Sequence, residues 1–452
     1  MLGSLASSEP GEFPFYKLQA EPEELIEQIR AMLAQRDMSP IRAMMRQINL
    51  GTVPYGALCL VKNNSYSLLL AGRGTDVRIA SHPDGGVHDQ ETQSAREARN
   101  GRVVVDLSAI ELAHHLDCWA ETFGDFNVVL ITSAQNVDAK RGVMEARSAT
   151  AEGGSLALTA GGDLYMTRRD PAQQLLTLQR TEQLESATRR CLPVDVGTDI
   201  TINPEVSKLE MSAWLSAVEL AWREGVALWS DDVAQRRLAA SLGIPTFGTV
   251  NLLESRRLDE IHKTTDPRRI DALAHEQHQL ILDLMERRVV DQPVSLEDVR
   301  SNIAAHPGEI APASTTVARA AWWRSAEMLS RWNAVLRSVR AHAPDYARQW
   351  QAAGVAGLID AVPDDRAPQA AAALAAYGTE ATPHVKDVVQ GFRLADALLA
   401  ERLLPPASDH VAWAVSSLAG RLAGFNREEF AWAVSAELGA KPSRDPASPG
   451  AT

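Results

Sequence analysis

Cysteine is scarce in this chain. Cys59, Cys118 and Cys191 are the only three in 452 residues. They lie far apart and form no CxxC, which excludes a disulfide framework or a zinc ribbon and fits a reducing, cytoplasmic setting. Long apolar runs are missing too. None approaches the ~20 residues that cross a bilayer, and the N-terminus lacks a basic-then-apolar signal pattern, so no membrane role is expected. Positive charge is in deficit, with 45 Lys and Arg against 58 Asp and Glu and a net charge of −13. That excludes a broadly basic nucleic-acid surface, because phosphate affinity comes from Lys and Arg. An enzyme that touches nucleic acid only around one acidic, metal-loaded cleft is not excluded.

What is present is an ordinary globular composition, 45% hydrophobic and 23% charged. The length suggests about three domains. Residues 1–20 read as a loose arm. Residues 21–100 read as a small α+β domain: a helix from Pro22, a short one from Pro40 to Leu50, then strands at 55–61 and 65–71 around the turn Asn63-Asn64, with 77–80 a third. Residues 89–100 (DQETQSAREARN) are polar and read as a linker. Residues 101–255 alternate strand and helix: 103–105, 128–132 and the run from Val226 are strands, helices start at Ser133, Asp170 and Met211, and a hairpin insertion falls at 151–169. Residues 256–440 show only helical periodicity, as in Ile270, Leu273, Leu280, Ile281, Leu284 and Met285, so an all-α domain is expected. Its tryptophans at 322, 323, 332 and 350 read as core or partner-facing. Residues 441–452 read as a disordered tail.

The chain is organised around 226–253, where VALWSDD gives way to a helix stopped by Gly243 and a second apolar run reaches Gly248-Thr249. Upstream, VVVDLSAIEL (103–112) ends a strand on Asp106 in the same manner. In open parallel sheets, ligands bind outside the carboxyl ends of the strands. If the two strands share a sheet, Asp106 converges on Asp231 and Asp232. Such carboxylates repel unless a cation lies between them, and Mg²⁺ or Mn²⁺ is the hard, oxygen-seeking ion suited to that place. A metal so held activates water for attack on a phosphodiester. The competing structural reading is that Asp106 and Asp232 are helix N-caps.

These two blocks resemble the first and last blocks of PIN-domain nucleases: a strand ending in Asp-x-Ser/Thr, and a strand ending in Ser/Thr-x-Asp followed by a helix, Gly-Ile and Gly-Thr-x-x-Leu-Leu. The likeness covers residues 102–255. It implies a parallel sheet sandwiched by helices and metal-dependent phosphodiester hydrolysis, usually of RNA, by about four acids. On this resemblance Asp106 is the first acid, Asp138 stands near the second, and Asp232 is the acid of the Ser/Thr-x-Asp block. The remaining acid falls on Trp214, a departure for which Glu210 and Asp231 are the candidate substitutes. Ser108, Ser230 and Thr249 are supporting polar neighbours. The resemblance thus implies RNA as the substrate; many proteins with this domain serve as toxins or defence effectors, and an appended helical domain suits regulated activity, with partner binding or restraint supplied by the flanking domains.

Two rivals remain in view. Asp106-Leu-Ser also resembles the first block of haloacid-dehalogenase-type phosphatases, but Ser108 replaces the second Asp that those enzymes need. The other rival is a degenerate PIN-like scaffold acting as an interaction module, for which Trp214 is the best support. His275-Glu-Gln-His278 lacks the spacing of a zinc-protease motif.

Overall fold

The computed structural model describes residues 44–45, 47–48, 51–62, 64–72, 85–151, 155–158, 164–167, 170–197, 212–286, 289, 294–324, 328–378, 384–417 and 426–439. The expected arm at 1–20, the helix from Pro22, the strand at 77–80 and the tail at 441–452 lie outside them.

Residues 55–71 correct the expectation of strands. Tyr55–Ala57 is a 3-10 turn, α1 is Leu58–Lys62 and α2 is Tyr66–Ala71. Ser65 caps α2 by accepting from the Leu68 N–H, and Leu and Ala are strong helix formers. Tyr66, Ser67, Leu69, Leu70 and Ala71 are all buried, and so short an apolar run does not distinguish a buried helix from a strand by periodicity. The polar stretch at 89–100 is likewise no linker but most of α3, Gly85–Ala98. Its inward face carries His88, Glu91, Thr92 and Ala95, so polar residues conceal the helical stripe. Tyr55, Leu58, Tyr66, Leu70 and Ala95 share one hydrophobic core with Val103, Val105 and Trp229.

Seven strands are described: β1 (Arg102–Val105), β2 (Val128–Thr132), β3 (Ser155–Leu158), β4 (Leu164–Thr167), β5 (Leu192–Val194), β6 (Ala227–Trp229) and β7 (Thr246–Phe247). β3 and β4 pair antiparallel as a separate hairpin. The other five form one all-parallel sheet in the order β5-β2-β1-β6-β7. β5 carries Pro193 and was not expected from the sequence; proline is tolerated because this strand lies at the sheet edge. Interleaved are α4 (Leu107–His115), α5 (Trp119–Phe123), α6 (Ser133–Ala151), α7 (Pro171–Thr188), α8 (Ala213–Glu224) and α9 (Val233–Ser241).

Strand side chains alternate between two cores, as a two-sided parallel sheet requires. Val103, Val105, Val129, Ile131 and Trp229 face the helices α2, α4 and α7. Val104, Leu130 and Leu228 face Ala217, Val218, Leu220 and Ala221 of α8. Gly243, at φ 78°, makes the left-handed turn that leads from α9 to β7. Because the chain leaves β1 for β2 on one side and returns to β6 on the other, β1 and β6 flank the point where the strand order reverses.

α10 (Thr249–Lys263) runs from the end of β7 through position 255. The described residues beyond it form a region of helices and their connections: α11 (Pro267–Glu286), α12 (Leu296–Ala305), α13 (Ala313–Val317), α14 (Ala320–Trp323), α15 (Met328–His342), α16 (Ala347–Ala361), α17 (Ala367–Tyr377), α18 (Val385–Ala400), α19 (Val411–Ser417) and α20 (Arg427–Leu438). Trp323, Trp332 and Trp350 are fully buried at its centre. Leu112 and Val250 meet Leu284 and Val289, joining it to the α/β layers. Among the described residues no helix is long and apolar enough to cross a membrane.

Since α2 completes the sheet's core, Leu70→Ala should destabilise the sheet by about 2–5 kcal/mol. Amide exchange at Val103–Val105 in dilute denaturant measures this; unchanged protection there would mean that α2 folds apart from the sheet.

Candidate active site

The register that pairs Val105 with Trp229 sets Asp106 beside Ser230, and the Asp106 N–H donates to the Trp229 carbonyl at 2.8 Å. Asp106, Ser230, Asp231 and Asp232 therefore meet at the carboxyl ends of two neighbouring strands, all of them buried. Glu210 lies outside the described residues.

Asp106 caps α4. Its Oδ2 accepts from the Ser108 N–H (2.9 Å), the Ser108 hydroxyl (2.5 Å) and the Tyr66 hydroxyl (3.0 Å). Its Oδ1 accepts from the side-chain amides of Gln135 (3.2 Å) and Gln235 (3.3 Å). Asp232 caps α9: its Oδ1 accepts from the Ala234 and Gln235 N–H groups (3.0 and 3.2 Å), and its Oδ2 from the Tyr55 N–H (2.5 Å). Asp231 takes the Thr249 N–H on Oδ1 (2.8 Å) and the Thr249 hydroxyl on Oδ2 (2.5 Å). Ser108 ties the two strand ends together, since its Oγ accepts from the Asp231 N–H at 3.1 Å and lies 3.2 Å from Ser230 Oγ, which accepts from the Asp232 N–H at 3.1 Å.

Asp138 is held elsewhere. Its carboxylate accepts from the N–H groups of Tyr66 (2.9 Å) and Ser67 (2.8 Å), at the start of α2. Gln135, one turn earlier on α6, is the residue of that helix that reaches Asp106. Trp214 is buried, its carbonyl accepts from Gln235 (2.7 Å), and its indole lies against Gly56, where an added Cβ would come within 2.2 Å. Sequence reasoning missed Tyr55, Tyr66, Gln135 and Gln235. Only Gln235 carried a local signal, the Asp-x-x-Gln spacing of a capping box.

Burial dominates the electrostatics. It raises the pKa of Asp106 and Asp138, and raises Asp231 and Asp232 from 3.8 to about 6. For Asp231 the Thr249 hydrogen bonds and the Arg236 charge oppose the shift; for Asp232 the Tyr55 N–H opposes it and the Asp106 charge adds to it. The Tyr66 phenol is pushed well above 10 by burial and by the carboxylates of Asp106 and Asp232. The three thiols are unpaired by disulfides and burial raises each to about 12, so none is a ready nucleophile.

Carboxylate oxygens are the donors a hard divalent ion takes. As arranged, however, these do not fit one. A carboxylate offers about four lone-pair sites, and Asp106 already accepts from the five donors named above. Among the described residues no three His, Cys, Asp or Glu side chains come together as a metal-holding group.

A group whose folded pKa lies above its unfolded value binds extra protons when folded. Its stabilisation is therefore complete below 3.8 and lost as pH rises through about 6. Asp231→Asn removes that loss, and between pH 4 and pH 8 the variant should gain on the order of 2 kcal/mol relative to the parent in urea unfolding. A difference independent of pH would contradict the burial of Asp231 as a charge.

Residues 104–241 match the profile of the family described as a PIN domain associated with the TPR-GreAB-C-PIN system. No curated protein and no solved structure matches the chain. The match spans β1 to α9, the segment that builds the parallel sheet and carries Asp106, Asp231 and Asp232. The α/β unit of this chain is a PIN-like domain.

Proposed function

We propose that the chain is a PIN-type nuclease acting on RNA, latent in the closed arrangement described above, with Asp106, Asp231 and Asp232 as its acidic centre, Asp138 as an outlying acid, and Glu210, which lies outside the described residues, as a further candidate. The observation that carries this reading is the burial of three carboxylates at the ends of two adjacent parallel strands. Helix capping alone does not call for this: Ser, Thr or Asn cap as well without a buried charge. Buried, like-charged carboxylates with raised pKa values are the arrangement that functional sites use to tune their acids. The family resemblance implies Mg²⁺ or Mn²⁺, which would supply charge neutralisation and an activated water when bound. Ser108, Ser230 and Thr249 would hold the carboxylates in register. The family description names a TPR-GreAB-C-PIN system. On this reading a partner engaging the helical domain from α11 onward would release the nuclease, as in a toxin or defence effector.

The second reading, a degenerate scaffold, is favoured by Trp214 and by the saturation of Asp106. Cleavage of end-labelled single-stranded RNA in Mn²⁺ separates the two. Asn remains a good N-cap, so Asp106→Asn keeps the α4 cap and removes the charge at the cost of the hydrogen bonds on the oxygen that becomes NH2, and urea unfolding checks that the variant is folded. The nuclease reading expects slow, divalent-dependent cleavage by the parent and a loss of at least about 100-fold in Asp106→Asn and Asp232→Asn, a typical cost for one electrostatic group at a reacting centre. Equal cleavage by parent and variants would place the chemistry elsewhere.

A further inference from the structure

We propose that the 3-10 turn at Tyr55–Ala57 and helices α1 and α2 form an intramolecular plug, whose N–H and O–H groups stand on the acidic centre where a cation would otherwise lie. The proposal rests on the nuclease reading of those acids.

Three carboxylates of the PIN-like domain each receive a donor from this one segment, which lies outside the matched residues 104–241. The Tyr55 N–H is on Asp232, the Tyr66 hydroxyl on Asp106, and the Tyr66 and Ser67 N–H groups on Asp138. These are the positive ends of dipoles set against negative charge, the same electrostatic service a divalent ion performs. The two tyrosines lie side by side, ring centres 6.4 Å apart, and both are buried.

The PIN-like domain is shaped to receive the segment. Gly142 lies inside the 19-residue helix α6, where glycine weakens a helix. A Cβ there would meet Ser67 Oγ at 2.2 Å and the Leu68 nitrogen at 3.1 Å, so the glycine permits α2 to dock. One turn on, Glu145 accepts from the N–H and hydroxyl of Ser65 (2.9 and 2.7 Å). At the other end, Gly56 permits the close seat of Trp214, which occupies the position that the resemblance gives to an acid. Trp214 is on this account a docking platform, and the plug adds the fifth donor, the Tyr66 hydroxyl, to the four that Ser108, Gln135 and Gln235 already place on Asp106.

The test uses the full chain. Gly142→Leu blocks the seat of α2 without weakening α6, since leucine is the better helix former. Glu145→Ala and Tyr66→Phe loosen the same contact more gently, should the first variant fail to fold. Amide exchange at Val103–Val105 checks the sheet, and Mn²⁺ binding is followed by electron paramagnetic resonance, each variant with and without Asp106→Asn. The expected result is Mn²⁺ affinity raised at least about tenfold, the worth of a single charge-assisted hydrogen bond, and lost again with Asp106→Asn. RNA cleavage should rise in parallel. Mn²⁺ binding that depends on Asp106 but brings no cleavage of RNA would uphold the plug and overturn the nuclease reading. Unchanged Mn²⁺ affinity in folded variants, or cleavage by the parent as fast as by Gly142→Leu, would overturn the plug.

Discussion

The burial of negative charge at the ends of β1 and β6 is the constraint on which the rest of this structure depends. A parallel sheet whose order reverses at β1 brings Asp106 against Ser230, Asp231 and Asp232. Burial makes their charged forms costly, as the values near 6 for Asp231 and Asp232 express. The surrounding residues answer that cost with donors: hydroxyls from Ser108, Thr249 and Tyr66, amides from Gln135 and Gln235, and backbone N–H groups from Tyr55, Ala234 and Thr249.

Neighbouring charge is handled by the same means. Arg236 is buried beneath the site, donating to the Ser230 carbonyl at 2.8 Å and pairing with Glu91 of α3 at 2.7 Å. A buried pair of this kind adds little net stability, but loss of either partner leaves a charge stranded. The polar face of α3 thus serves the site from below, as α2 does from above. Two segments outside the matched residues, α2 and α3, contribute partners to this region.

Much of this was legible in the sequence. The β-branched run ending in Asp106, the run at 128–132 and the block Trp229-Ser230-Asp231-Asp232 declare parallel strands with acids at their ends, and helical periodicity declares the domain beyond 256. The errors share one cause. Tyr66, Ser67, Leu69, Leu70 and Ala71 are buried on more than one face of α2, so alternation could not separate helix from strand. Residues 89–98 are polar because their inward face pairs with Arg236 and Asn251 rather than with apolar groups. Asp138 lies on the expected helix, yet it serves α2 while Gln135 reaches Asp106, a one-turn difference that spacing alone does not resolve.

The most direct measurement of the account is amide hydrogen exchange of the native chain, with and without Mn²⁺ and single-stranded RNA. Tyr55, Tyr66 and Ser67 should be protected in the free protein through their carboxylate acceptors. The account predicts that Mn²⁺ and RNA together raise exchange at these three amides by more than at Val103–Val105, whose core α2 completes. Protection at Tyr55 and Tyr66 that persists while RNA is being cut would contradict it.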